Sequence, residues 1–253
     1  MTFVACIVAV APLRATASHR SEMVSQLLLG EFAEVLESTK DFIRVKTLYD
    51  QYEGWCQTSQ LAEVDETTAR QQPIGYVQQP GAKARLNGEA VALSVATPVY
   101  AVADVPALGK YAIEYDNQAT TLHAFSAAQI KELAMLFLQV PYLWGGRGSF
   151  GIDCSGFTQQ VYKMTGITLL RDASLQATQG EVIGFLQETR CGDLAFFDNE
   201  EGRITHVGIL LGDDTIIHSS GRVRIDRIDN QGILNVDTGQ RTHQLRLLKR
   251  MVP

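Results

Sequence analysis

A chain of 253 residues with 45% hydrophobic side chains is long and apolar enough for two or three packed domains, which excludes a disordered polypeptide. Its net charge of −6 falls mostly in the first 122 residues, where 9 Lys and Arg face 14 Asp and Glu, and it contains no basic stripe or run; no nucleic acid and no membrane is an expected partner. Cys6, Cys56, Cys154 and Cys191 are widely spaced with no C-x-x-C pair, which argues against a zinc ribbon or a disulfide scaffold and predicts free thiols.

The opening stretch, "MTFVACIVAVAPLRATAS", is apolar and carries an "ATA" that imitates a cleavage site, yet no Lys or Arg precedes it. The apolar run breaks at Pro12 after about nine residues, short of the ~20 needed to cross a bilayer, and reads as a first β-strand rather than a secretion signal. Up to about residue 120 follow short strands such as "FIRVKTLYD", "GWCQTSQL", "AVALSVATPVYA" and "GKYAIEYD", separated by turn residues. Their spacing predicts small barrels. The order within residues 27–61, a Gly-bearing turn, two strands and then "YEGW", recurs weakly after it, which predicts two related barrels meeting near residue 65.

At "SAAQIKELAMLFLQV" the pattern turns helical: Ser126 is a cap, Ile130, Leu133, Ala134, Phe137 and Leu138 share a face, and Pro141 ends the run. "CSGFTQQVYKMTGI" predicts a second helix with Phe157, Val161, Tyr162 and Met164 buried and Gly166 as its stop. Strands at "GDLAFFD", "THVGILLGD", "TIIHSS" and "LRLLKRMV" complete an α+β domain. Cys154 opens the second helix, whose positive end is expected to lower its pKa and favour the thiolate.

A thiol nucleophile needs a base, and the base needs an orienting partner. His19 and His123 lie in loop-like contexts and His243 among polar residues. His206 and His218 flank a tight "GDD" turn on neighbouring strands, which brings a base and its orienter together. Taken singly, the other cysteines read as inert core thiols, the two histidines as ordinary strand residues and "YLWGG" as a packed turn. "GGRG" is a lone glycine turn, no metal-ligand spacing appears, and no cofactor is expected.

Together, "PYLWGGRGSFGIDCSGFTQQVY", "CGDLAFFD" and "THVGILLGDDTIIHSSG" resemble the NlpC-type family of papain-like cysteine peptidases, which cut bacterial cell-wall peptides. The resemblance covers residues 123–253. It implies a papain-like domain with an antiparallel sheet and a Cys-His-His triad of Cys154 as nucleophile, His206 as base and His218 as orienter. By the same similarity Tyr142 helps the Cys154 N–H hold the oxyanion, a donor worth ~3–4 kcal/mol in the transition state.

A narrower subgroup, which pairs two bacterial SH3-like domains with the peptidase, resembles the chain more closely through "YEGW", "LLRDAS" and the tail "DNQGILNVDTGQRTHQLRLLKR". That resemblance implies SH3-like domains at 1–65 and 66–122 before the peptidase at 123–253. Its members cut the γ-D-glutamyl to diamino-acid bond of murein tri- or tetrapeptides that carry a free L-Ala amine. A buried ammonium demands carboxylates, so Asp153 and Glu53 are the expected pair, with Ser155, Ser174 and Tyr76 as further substrate contacts. Taken alone, Asp153 reads as a helix cap and Glu53 as a loop residue. The expected function is recycling of murein peptides by a cytoplasmic monomer. The alternatives are a secreted D,L-endopeptidase that remodels intact wall and a non-catalytic wall-binding protein.

Overall fold

A computed structural model of the chain describes residues 1–100, 107–116, 126–212 and 214–251. They form two compact units, one of residues 1–122 with 144–150, the other of 123–143 with 151–253.

The first unit begins with strands β1 (Phe3–Cys6), β2 (Val10–Arg14), β3 (Met23–Leu28), β4 (Phe32–Ser38), β5 (Phe42–Thr47), β6 (Glu53–Gln57) and β7 (Leu61–Val64). They pair in the order β3-β2-β6-β5-β4-β1-β7. The apolar run at the start is thus two strands, not one. The Ile7 N–H turns to the Gln60 carbonyl and the Ala9 carbonyl accepts from Leu29, so the two halves are drawn to different partners. Inside lie Val4, Leu13, Leu27, Val45 and the thiols of Cys6 and Cys56. Burial raises both thiols, that of Cys56 to about 12, which leaves them inert.

Asp65 accepts the Thr68 N–H at 2.8 Å and caps a short helix, α1 (Glu66–Ala69). Beyond it β8 (Gly75–Tyr76) pairs with a later strand, and β9 (Lys83–Leu86) forms a hairpin with β10 (Glu89–Ala92). The turn is Asn87-Gly88, with both φ positive (51° and 83°), the pair that a two-residue hairpin prefers. β11 (Pro98–Val99), the partner of β8, is followed by β12 (Ala107–Leu108) and β13 (Tyr111–Tyr115), which give a sheet ordered β10-β9-β13-β12. Its apolar face shares one core with the first sheet: Phe3, Ala5 and Phe32 pack in a cluster with Val77, Ala84, Leu93, Leu108 and Ile113.

The loop "WGGRGSF", with β14 (Arg147–Gly148), also belongs to this unit. Arg147 is fully buried and donates to both Glu31 carboxylate oxygens, at 2.8 and 3.2 Å, and to the Gln26 carbonyl at 2.6 Å. Gly145 adopts φ 76°, and a Cβ there would run into the Met23 carbonyl, so the turn requires glycine.

The second unit contains α2 (Ala127–Met135), β15 (Gly151–Ile152), α3 (Cys154–Lys163) and α4 (Ala173–Gln176). Then come β16 (Glu181–Ile183), β17 (Leu194–Asp198), β18 (Ile204–Gly212), β19 (Thr215–Ser220), β20 (Arg222–Asp229), β21 (Gly232–Leu234) and β22 (Arg241–Arg250). Ser126 caps α2, accepting from Gln129 at 3.2 Å, and Ile130, Leu133, Ala134 and Phe137 are buried, as the periodicity predicts. The sheet order is β16-β22-β17-β18-β19-β20-β21, and a further pairing of β22 with β21 closes β17–β22 into a barrel. Its interior holds Ala195, Phe197, Leu210, Ile216, Ile228 and Ile233, while α3 packs against β18 and β19. Among the described residues no helix is long and apolar enough to cross a membrane.

Candidate active site

Helix α3 starts where Asp153 accepts the Gly156 N–H at 2.7 Å, which makes Cys154 its first residue. The cap is itself neutralised. Arg171, 1% exposed, donates to Asp153 Oδ2 at 2.5 Å, to Oδ1 at 3.0 Å and to the Ser155 hydroxyl at 3.0 Å. Gln176 on α4 donates to the Ser155 carbonyl at 2.9 Å and fixes the same turn from its other side.

The Cys154 sulfur lies 4.0 Å from the Thr205 carbonyl, and the Val207 N–H favours its thiolate, so it rests against the backbone of β18 around His206. Burial, then the charge of Asp153, pushes the thiol up to about 12, against the pull of the Val207 N–H and Arg171. This corrects the expectation of a lowered pKa. The helix start supplies one favourable N–H, but desolvation of a nearly enclosed sulfur outweighs it.

The β18–β19 hairpin places Gly208 opposite His218. A Cβ at Gly208 would lie 2.9 Å from that of His218, so the glycine of "HVGILL" lets the second imidazole cross to the first. His206 Nε2 then meets His218 Nδ1 at 2.8 Å, and His218 Nε2 meets Asp226 Oδ2 at 2.9 Å. Both histidines are buried. Burial, with His218 and His243 adding to it, lowers His206 well below the usual imidazole range; burial lowers His218 against the pull of Asp226. Asp226 is raised by burial, but hydrogen bonds from His218, Arg224 and the Val236 N–H outweigh this and hold its carboxyl well below the usual range.

Tyr142 is strapped beside the cysteine: its N–H bonds to the Gly221 carbonyl at 2.9 Å, and the Ile152 N–H bonds to the Pro141 carbonyl at 3.0 Å. Burial, then the neighbouring Cys154 and the charge of Asp153, pushes the phenol up to about 12, so its hydroxyl stays a donor.

Cys154, Asp153, Ser155, His206, His218 and Tyr142 therefore all lie in the second unit. Ser174 is in that unit too, but exposed on α4. Glu53 and Tyr76 belong to the first. Glu53 is exposed and paired with Arg44 at 2.7 Å, and Tyr76 is buried, its hydroxyl pushed to about 12 by burial and the charge of Glu31. His19 packs on Phe42 in the first unit, and His123 lies outside the described residues.

Three residues escaped the sequence reading. Arg171 and Asp226 left readable traces, an Arg in "LLRDAS" and an acid two places along β20 from Arg224, the cross-strand partner of His218. His243 left none. Barrel closure carries its ring onto His206, with centroids 4.1 Å apart and 25° between planes, and burial and His218 push it down to about 4. Among the described residues no group of three His, Cys, Asp or Glu is arranged to hold a metal ion.

A cysteine at a helix start, laid against a sheet that carries paired histidines, is the arrangement of a papain-like cysteine peptidase. Residues 139–242 match the NlpC/P60 family and residues 13–61 the bacterial dipeptidyl-peptidase Sh3 domain; the chain thus carries an NlpC/P60 cysteine-peptidase domain, with a bacterial SH3 domain in its first unit. The chain is 43% identical over 96 residues to the gamma-D-glutamyl-L-lysine dipeptidyl-peptidase of Bacillus subtilis, covering 37% of this chain and 32% of that protein. To the protein of the same name from Bacillus cereus it is 28% identical, over 80% of this chain and 68% of the relative. To dipeptidyl-peptidase 6 of Lysinibacillus sphaericus it is 26% identical, over 89% and 91%. In fold, it superposes on the crystal structure of an NlpC/P60 family protein from Bacillus cereus with TM-score 0.82 and 21% identity, over 99% of this chain and 100% of that one. An NlpC/P60 endopeptidase from Photobacterium damselae gives TM-score 0.64 and 16% identity, over 97% and 65%.

Proposed function

We propose that the protein hydrolyses the γ-D-glutamyl to diamino-acid bond of murein peptides with a free N-terminal L-Ala, releasing L-Ala-D-Glu, as a monomer that recycles wall fragments in the cytoplasm. In this reading residues 1–65 and 66–122 are two SH3-like domains and 123–253 the peptidase. The observation that carries the chemistry is the 2.8 Å bond from His206 Nε2 to His218, which leaves His206 Nδ1 as the proposed partner of the Cys154 thiol, whose sulfur lies 4.0 Å from the carbonyl of Thr205, the residue before His206 on β18. Cys154 and His206 both rest neutral. His206 takes the thiol proton as the sulfur attacks the γ-carbonyl, so charge develops only with substrate in place. The Cys154 N–H and the Tyr142 hydroxyl face the oxyanion. The His206 imidazolium then gives its proton to the leaving α-amine, and water attacks the thioester to free the dipeptide and restore the thiol.

The names of the Bacillus relatives support the γ-D-glutamyl-L-lysine bond as the target. Asp153 is the proposed carboxylate for the L-Ala ammonium, with Glu53, Ser155, Ser174 and Tyr76 as the remaining proposed contacts. The test is to incubate the protein with L-Ala-γ-D-Glu-L-Lys and with its N-acetyl form and to follow products by mass spectrometry. Cleavage confined to the free amine is expected. Equal cleavage of both removes the ammonium site and favours an endopeptidase acting on intact wall.

A further inference from the structure

We propose that Asp226 is a positioning residue for the reaction: it fixes the tautomer of His218 and, through it, that of His206, so that the lone pair of the base points away from His218. The inference rests on the reading that Cys154 and His206 perform the chemistry.

An ionised carboxylate only accepts hydrogen bonds. Asp226, with its side chain 1% exposed, is anchored as one by the Val236 N–H on Oδ1 at 2.9 Å and by Arg224, whose Nη2 donates to Oδ1 at 2.8 Å. His218 Nε2, 2.9 Å from Oδ2, therefore carries the proton. A neutral His218 then has its lone pair on Nδ1, and the atom 2.8 Å away, His206 Nε2, must be the donor. A neutral His206 in turn keeps its lone pair on Nδ1, the nitrogen that can take a thiol proton. The opposite tautomers would set an imidazole lone pair against a buried carboxylate. The charged and titratable groups around the chain are Arg224 and, beyond it, Asp237, together with His243 stacked on His206 and Cys154 beside β18.

Asp226→Asn keeps the shape and inverts the pattern. Its amide oxygen is drawn to the two donors, Val236 N–H and Arg224, which turns the NH2 toward His218 Nε2. The proton of His218 moves to Nδ1, and that of His206 to Nδ1 as well, where it blocks the base. The expected result is a folded protein with kcat reduced about 10²–10⁴-fold, the range for a positioned general base, and KM little changed. ¹⁵N spectra of histidine-labelled protein read the tautomers directly: the parent carries the proton of both His206 and His218 on Nε2. A kcat for Asp226→Asn within threefold of the parent overturns the proposal, as does a parent His218 protonated on Nδ1. If Asp226→Asn does not fold, the parent spectra decide alone. Turnover that survives in Cys154→Ala instead defeats the underlying reading, whatever the tautomers are.

Discussion

Replacing Arg171 by Met strips the Asp153 carboxylate of its counter-charge without changing the volume of the site much. The two side chains are 1% and 8% exposed and meet through two contacts, at 2.5 and 3.0 Å. Removing one partner of so buried a pair typically costs about 3–5 kcal/mol, because the survivor stays charged and enclosed. Asp153 keeps the Gly156 N–H and the Ser155 hydroxyl as donors, which places the loss toward the lower end, about 3 kcal/mol. At roughly 2–4 °C per kcal/mol for a chain of this size, Tm should fall by about 6–12 °C, read by calorimetry at neutral pH. Asp153→Asn combined with Arg171→Met removes both charges and should recover most of that loss. The Arg171 charge also opposes the rise of the Cys154 thiol, so activity should fall more than stability alone explains. A Tm within 2 °C of the parent for Arg171→Met, or a double variant no more stable than the single, would show that the ion pair does not hold the helix start.

If the resting thiol and imidazole are both neutral, Cys191, the one partly exposed thiol, should be alkylated by iodoacetamide near pH 8 before Cys154; faster labelling of Cys154 would reveal a thiolate–imidazolium pair instead. The histidine cluster also sets an acid limit. His206, His218 and His243 all have lowered folded pKa values, so below about pH 6.5 the unfolded chain binds more protons, and stability should decline from there toward pH 4 in denaturation profiles. His243→Phe keeps a ring on His206 but removes a neighbour that lowers it: the decline should flatten, and the acidic limb of kcat/KM should move to higher pH. An unmoved limb would make His243 a packing residue only.

What was readable in the sequence is what depends on neighbours along the chain. Ser126 and Asp153 cap helices where the pattern places them, and the 206–218 hairpin follows from alternation around a turn. What was not readable depends on distant partners or on burial. The first strand breaks in two because Gln60 and Leu29 claim its middle. His243 joins the site only through the closure of β21 on β22, a pairing that no local pattern announces. Arg147, which looks like part of a glycine turn, becomes a fully buried partner for Glu31 over a separation of 116 residues. The raised thiol of Cys154 is hidden from the sequence for a related reason: a helix start is visible in sequence, whereas the desolvation that outweighs it appears only once the chain is packed.

The most direct measurement is to quench the reaction with L-Ala-γ-D-Glu-L-Lys in acid during the first turnovers and map the protein by peptide mass spectrometry. A peptide containing Cys154 should be heavier by one L-Ala-γ-D-Glu acyl group, and the adduct should be lost in His206→Ala. Rapid turnover with no adduct on Cys154, or with one on another residue, would contradict its assignment as the nucleophile.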